Sequence, residues 1–286
     1  MTRYYFRLEC LRMLRDPRYL ALAVLAPIGF YLLFSTLFGG KSAAAGSAPP
    51  PLPGTVQIMV AMAAYGAIWG ALSATGPRIA HERGSGWLEQ LRAMPLNGRQ
   101  VLGAKLAAGL VVALPALLLV CATAAAVKDV RLEAWQWAAI IGAIWLGTLP
   151  FALLGTAIGY SVGSETAFPL SYALYMAMSA IGGLWVPPSQ LPSSFQHVAD
   201  VLPTYRLADL GWRIAEGRAP SVPDVAVLAA WTLGLALLAA LAYRRPHSAG
   251  RPVRSRRQHR PAGAEAGAET VRSAAAGSSP TVSMSA

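Results

Sequence analysis

Apolar residues do not alternate with polar ones along this chain; they come in blocks. Six blocks are long enough to cross a hydrocarbon core of about 30 Å, which takes about 20 helical residues. They are 19–38, 55–77, 101–127, 135–160, 167–186 and 225–243. Five contain no Asp, Glu, Lys or Arg, and the third holds Lys105 one turn inside its start. A helix buried in a soluble core keeps a polar face, and these keep none. The pattern predicts an all-α membrane protein with six transmembrane helices. Ala43, Ala45 and Ala48 offer signal-cleavage-like sites, but a signal h-region is typically about 7–15 residues, shorter than block 19–38.

The segments between blocks differ in kind. Residues 39–54 are Gly, Ser, Ala and Pro, a short external loop. Residues 187–224 carry a helical period of their own. Phe195, Val198, Ala199 and Leu202 recur at i, i+3, i+4 and i+7 before Pro203, and Leu207, Leu210, Gly211 and Ile214 repeat the pattern up to Gly217. Two short external helices follow, with Phe195, Tyr205 and Trp212 suited to an interfacial position. On the other side, Trp87, Leu88, Leu91 and Met94 share one helical face after Gly86, Glu89 and Arg92 take the other, and Pro95 ends the helix. Such a short amphipathic helix either plugs into a cytoplasmic partner or lies on lipid.

Charge sets the orientation. The chain is 55% hydrophobic and 13% charged, where a soluble protein carries roughly a quarter charged residues. Arg3, Arg7, Arg12, Arg15 and Arg18 precede the first block; Arg78, Arg83, Arg92 and Arg99 lie between the second and third, with Lys105 at the edge; eight arginines run from Arg244 to Arg272. Lys and Arg concentrate on the cytoplasmic side, so both termini are expected inside. The domain plan is then a cytoplasmic lead-in at 1–18, a six-span domain at 19–243, and a basic tail at 244–286 whose Ala/Gly/Ser/Pro/Arg composition predicts disorder. The net charge of +11 reads as topology and attraction to anionic lipid, with no nucleic-acid partner.

Little in the chain suggests chemistry of its own. Cys10 and Cys121 cannot form a disulfide framework, and His81, His197, His247 and His259 are scattered. No span contains Asp, Glu or His, the groups that intramembrane enzymes and ion-coupled carriers need. Glu165 stands alone in a short turn, and Asp129 and Glu133 lie in an external loop. Gly40-Lys41-Ser42 lacks the upstream glycine of a phosphate-binding loop, where Ser35 stands instead. Energy must come from a partner. Gly66 and Gly70, and Gly155, Gly159 and Gly163, sit at the four-residue spacing of close helix packing, within one chain or between two copies.

Arg78–Leu96, RIAHERGSGWLEQLRAMPL, resembles the cytoplasmic loop of ABC-2 type transporter permeases, especially the bacterial drug-export branch. The shared features are Glu82-Arg83, Gly86, Leu88-Glu89, Leu91 and Pro95-Leu96, with Gly103-Ala104-Lys105 a looser match to a following Gly-Lys. Gly84 and Trp87 stand where many relatives have an acidic residue and a threonine. Leu14-Arg15-Asp16-Pro17-Arg18, with Pro27, and Gly182–Pro187, with Leu191-Pro192, Leu202-Pro203 and Tyr205, also resemble family segments. The resemblance implies a multi-pass permease of the bacterial plasma membrane that exports a hydrophobic drug, secondary metabolite or lipid-linked molecule, with a role in antibiotic resistance. It implies two permease copies, or two related chains, each docked to an ABC-type ATPase subunit that carries the ATP and Mg; this chain binds no cofactor itself. Glu82, Arg83, Gly86, Trp87, Leu88, Glu89, Leu91 and Arg92 are the expected coupling residues. Tyr65, Trp69, Tyr172 and Met176 are candidates for a cargo path. The rival readings are a membrane-embedded lipid-modifying enzyme using Glu165, and a non-transporting immunity or anchoring subunit.

Overall fold

The computed structural model describes residues 20–39, 52–85, 98–185 and 192–244. These are helical with short connections: a π-helical turn Leu20–Leu25 leading into α1 (Ala26–Phe38), then α2 (Gly54–Gly84), α3 (Gly98–Val127), α4 (Ala134–Gly147), α5 (Leu149–Ser161), α6 (Ser164–Ile181), α7 (Ser193–Val201), α8 (Pro203–Ala215) and α9 (Val222–Arg244). The lead-in 1–18, the predicted helix Gly86–Ala93, and the tail from residue 245 lie outside the described residues.

Among the described residues, four stretches are long and apolar enough to cross a membrane: Gly54–Gly84, Val101–Val127, Ala134–Ser161 and Val222–Arg244. The first predicted span appears as a shorter apolar helix, Ala23–Phe38. The fifth is the 18-residue α6, which carries Ser164, Glu165, Ser171 and Ser179 and is not among those four.

The bundle is organised around α2. Of its most apolar window 89% is inside the protein, against 22% for α9. Small residues make that possible, because backbones can approach where Cβ atoms are missing. A Cβ on Gly70 would sit 2.9 Å from Ala113 Cα of α3, and one on Gly66 would sit 2.9 Å from Pro27 of α1. On the opposite flank, Gly155 of α5 faces Leu72 O at 2.8 Å and Gly159 faces Gly76 O at 2.7 Å, measured in the same way. Gly66, Gly70, Gly155 and Gly159 therefore pack within the chain, while Gly163, the last of its series, faces open space. By contrast, α9 turns Leu233, Leu237, Leu238 and Leu241 outward, as a helix bordering lipid does.

Two boundaries differ from the hydropathy pattern. The fourth predicted span is broken at Thr148, because Pro150 cannot donate to the helix ladder. The Thr148 backbone N–H and hydroxyl both donate to the Trp145 carbonyl, at 3.2 and 2.6 Å. Helix α2 continues beyond Pro77 to Gly84, so Arg78–Arg83 are helical and not loop. The charges there are paired, which removes the reason for the helix to stop.

One end of the bundle, the loop end, holds Gly84, Gly98 and the junction of α5 with α6. The other, the cap end, is covered by α7 and α8. Leu207, Leu210 and Ile214 of α8 are buried, as their spacing predicts, while Phe195 and Val198 of α7 are exposed. Helix α8 ties four neighbours together. Trp212 Nε1 donates to Gln57 O of α2 at 3.0 Å, and Gln136 Nε2 of α4 donates to Ala215 O at 3.0 Å. Thr204 Oγ1 donates to Met178 O of α6 at 2.7 Å, and Arg206 reaches Asp224 of α9 at 3.0 Å.

Candidate functional site

Tyr65 and Trp69 lie one turn apart on α2, and Tyr172, Tyr175 and Met176 share a face of α6. Where the two helices pack, the rings meet. Tyr65 and Tyr175 stack with centroids 4.6 Å apart, and Trp69 meets Tyr172 edge-on at 5.4 Å. Phe30 of α1 closes one wall, 6.1 Å from Tyr65. Beyond α6, Gly183 adopts φ +75, a conformation that glycine takes without a Cβ clash. The turn brings Trp185 back over Tyr65 at 5.9 Å and Phe30 at 6.4 Å.

The rings enclose a cavity of about 250 Å³ lined by Ala26, Phe30, Tyr65, Trp69, Tyr172, Tyr175, Met176 and Trp185. No charged side chain lines it among the described residues. Two of its hydroxyls have partners: Tyr175 Oη donates to Tyr65 O at 3.1 Å, and Tyr65 Oη donates to Met176 Sδ at 3.8 Å. The surface left for a ligand is dominated by ring faces, ring edges and a thioether, which suits apolar and aromatic molecules.

A second cluster sits at the loop end. Glu82 of α2, 8% exposed, accepts from Lys105 Nζ of α3, and Arg78 Nε lies 3.3 Å from its other oxygen. Lys105 is itself 2% exposed. Breaking a buried pair by removing one partner costs about 3–5 kcal/mol, since the remaining charge is stranded. Next to it, Arg83 Nη1 donates to Gly159 O at 2.7 Å, at the C-terminal turn of α5. A cation there satisfies carbonyls the helix leaves unpaired and meets the negative end of its dipole. The root of the 86–97 segment on α2 is thus bound to α3 and to α5, and its other root begins α3.

The profile of the family described as ABC-2 family transporter protein matches residues 47–241, more than half of the chain. The chain belongs to that family. It is also 26% identical over 232 residues to "Putative transport permease YvfS" of Bacillus subtilis (strain 168), covering 80% of this chain and 91% of that protein. With four helices able to cross a bilayer, this ABC-2 family member is a multi-pass membrane transport permease.

In this permease the four cargo-path candidates, Tyr65, Trp69, Tyr172 and Met176, all line one cavity. Sequence reasoning missed Phe30, Tyr175 and Trp185. Tyr175 stands three residues beyond Tyr172 and is legible as a member of the same helical stripe, but Phe30 and Trp185 depend on how α1 and the Gly183 turn fold back. Of the coupling candidates, Glu82 and Arg83 face inward, onto Lys105 and Arg78 and onto the end of α5. Gly86, Trp87, Leu88, Glu89, Leu91 and Arg92 lie outside the described residues. Glu165, the acid of the rival enzyme reading, is exposed in the first turn of α6.

Proposed function

We propose that this chain is the permease subunit of an ATP-driven exporter that moves a hydrophobic drug, secondary metabolite or lipid-linked molecule outward. The observation that carries the reading is the uncharged aromatic cavity between α1, α2 and α6, in a chain of the ABC-2 family. Ring faces and a thioether bind apolar cargo without the desolvation cost of a charged site. The cavity, at about 250 Å³, falls below the roughly 300–1,000 Å³ of typical drug-sized pockets, which favours a second permease copy or paralogue supplying the rest.

In this reading six spans cross the plasma membrane, both termini are cytoplasmic, and the loop end faces the cytoplasm. A separate ABC-type ATPase, holding ATP and Mg, docks on Trp87, Leu88, Leu91 and their polar neighbours Glu89 and Arg92. Glu82 and Arg83 serve as anchors that carry the motion of that segment into α3 and α5. The test is reconstitution with a candidate ABC-type ATPase from the same organism, followed by ATPase stimulation and vesicle transport over a panel of lipophilic compounds. Cargo-stimulated hydrolysis should fall at least about tenfold in Trp69→Ala/Tyr172→Ala, a loss of about 1.4 kcal/mol of cargo interaction, with ATPase binding unchanged. Trp87→Glu/Leu91→Glu should lose ATPase binding while remaining folded and inserted. Full recruitment and export by that second variant would overturn the assignment.

A further inference from the structure

At the cap end the charges do not balance. Helix α9 opens with Asp224, whose side chain is 0% exposed. Its Oδ1 accepts from Arg206 Nη1 at 3.0 Å. Its Oδ2 is buried with no hydrogen-bond donor among the described residues, and Arg213 Nε, 3.9 Å away, is too distant to supply one and is itself without a partner. A carboxylate oxygen sealed from water and left unbonded calls for a donor. Arg206 is already divided, since its Nε donates to Asp200 O at 2.6 Å and its Nη2 lies 3.7 Å from Asp200 Oδ1.

Asp209 stands between the two arginines on α8, and its carboxyl faces that of Asp224 closely enough to hydrogen-bond if one of them holds a proton. We propose that Asp209 and Asp224 form a proton-binding carboxyl pair, in which the proton carried by Asp209 is donated to the orphaned Oδ2 of Asp224 and locks α8 onto α9. Three acids, Asp200, Asp209 and Asp224, meet two bases, Arg206 and Arg213, so a single proton neutralises the cluster. Tyr205 is the other titratable neighbour; its phenol is pushed up by burial and by the surrounding carboxylates, so it stays protonated.

The electrostatics agree with the geometry. Partial burial, and then the charge of Asp224, push Asp209 up to about 6, while Arg213 and Arg206 oppose the shift. An unfolded Asp titrates near 3.9, so between about pH 4 and 6 the folded protein holds a proton that the unfolded chain does not. The joint is therefore tightest in acid and loosens as pH rises through about 6. Because α8 also holds the ends of α2, α4 and α6, the proton acts on the helices that bear the aromatic cavity. This is a site apart from the cargo cavity and from the loop end, and it stands whether or not the transport reading does.

The test is infrared difference spectroscopy of the full-length permease in lipid nanodiscs, following the protonated-carboxyl band against pH. The wild type should show one carboxyl titrating near 6. Asp209→Asn should abolish that titration, and Asp224→Asn should lower its midpoint toward the ordinary value near 3.9 without reaching it, because the burial of Asp209 remains. Persistence of the band in Asp209→Asn, or an unmoved midpoint in Asp224→Asn, would overturn the proposal. Hydrogen exchange of 203–215 in the unaltered protein, corrected for intrinsic rates, supplies a readout that needs no variant. Protection must fall by several-fold between about pH 5 and pH 7.5, and constant protection defeats the idea as surely.

Discussion

The two ends of the bundle handle buried charge in opposite ways. At the loop end, among the described residues, Glu82 meets both Arg78 and Lys105, and Arg83 beside it is satisfied by the carbonyl of Gly159. At the cap end three acids share two arginines, and one carboxylate oxygen of Asp224 is left without a hydrogen bond. A buried carboxylate held by cations makes a fixed anchor. A surplus of acids makes a joint whose strength depends on a proton. The family's Glu-Arg signature belongs to the fixed end, where the segment expected to meet an ATPase is rooted.

The sharpest way to break this contrast is to strand a charge at the loop end. Glu82→Ala should destabilise the permease by about 3–5 kcal/mol, because the buried pair with Lys105 is broken. Thermal unfolding in detergent reads the loss, and Glu82→Ala/Lys105→Met should recover much of it; equal damage in the double variant would deny the pairing. Next in size is Gly159→Val, whose Cβ would meet Gly76 O at 2.7 Å. Overpacking of that kind costs about 1–3 kcal/mol, and it should also weaken the Arg83 contact, visible as faster proteolysis at the loop end. At the cap end, Arg206→Gln should cost less, about 1–2 kcal/mol at neutral pH, since the lost bond is charge-assisted but Arg213 remains near. That cost should shrink in acid, where protonation of Asp209 relieves the cluster. The smallest effect belongs to Asp209→Asn. With solvent screening of a half-exposed group, it should flatten a pH dependence of only about 1 kcal/mol, the wild type being more stable near pH 5 than near pH 8. Parallel unfolding curves at the two pH values decide it.

Much of this architecture is readable from the chain alone. Helices α2, α3 and α9 begin and end within a few residues of their apolar blocks, apart from the extension of α2, because uninterrupted hydropathy is enough to define a membrane helix. Tyr65 with Trp69, and Tyr172 with Met176, are visible as i, i+4 pairs, and α6 packing on α2 brings them together. The break at Thr148 is hidden, since every residue around it is apolar and only Pro150 signals it. Arg78 looks like the start of a loop because charge ends the apolar block, yet the helix runs on to Gly84 once Glu82 finds Lys105. That partnership spans 23 positions, and no local pattern announces it. Hydropathy assigns Asp224 to a connecting segment, and only the docking of α8 reveals that it is buried.

Helix α2 has 31 residues, which at 1.5 Å of rise each makes a rod about 46 Å long. Gripped by Ala113 on one flank and by Gly155 and Gly159 on the other, it has almost no room to bend or slip. A rod held so closely conveys displacement instead of absorbing it. A tilt of about 5° about one end would move the other by about 4 Å over that length, comparable to a turn of helix and enough to pull stacked aromatic rings apart. Helix α9, with most of its apolar window outside the bundle, could yield to such a swing without breaking a single tight contact on its outer face. The glycines of α2 and α5 therefore determine how a small push at one membrane surface becomes a movement felt at the opposite one.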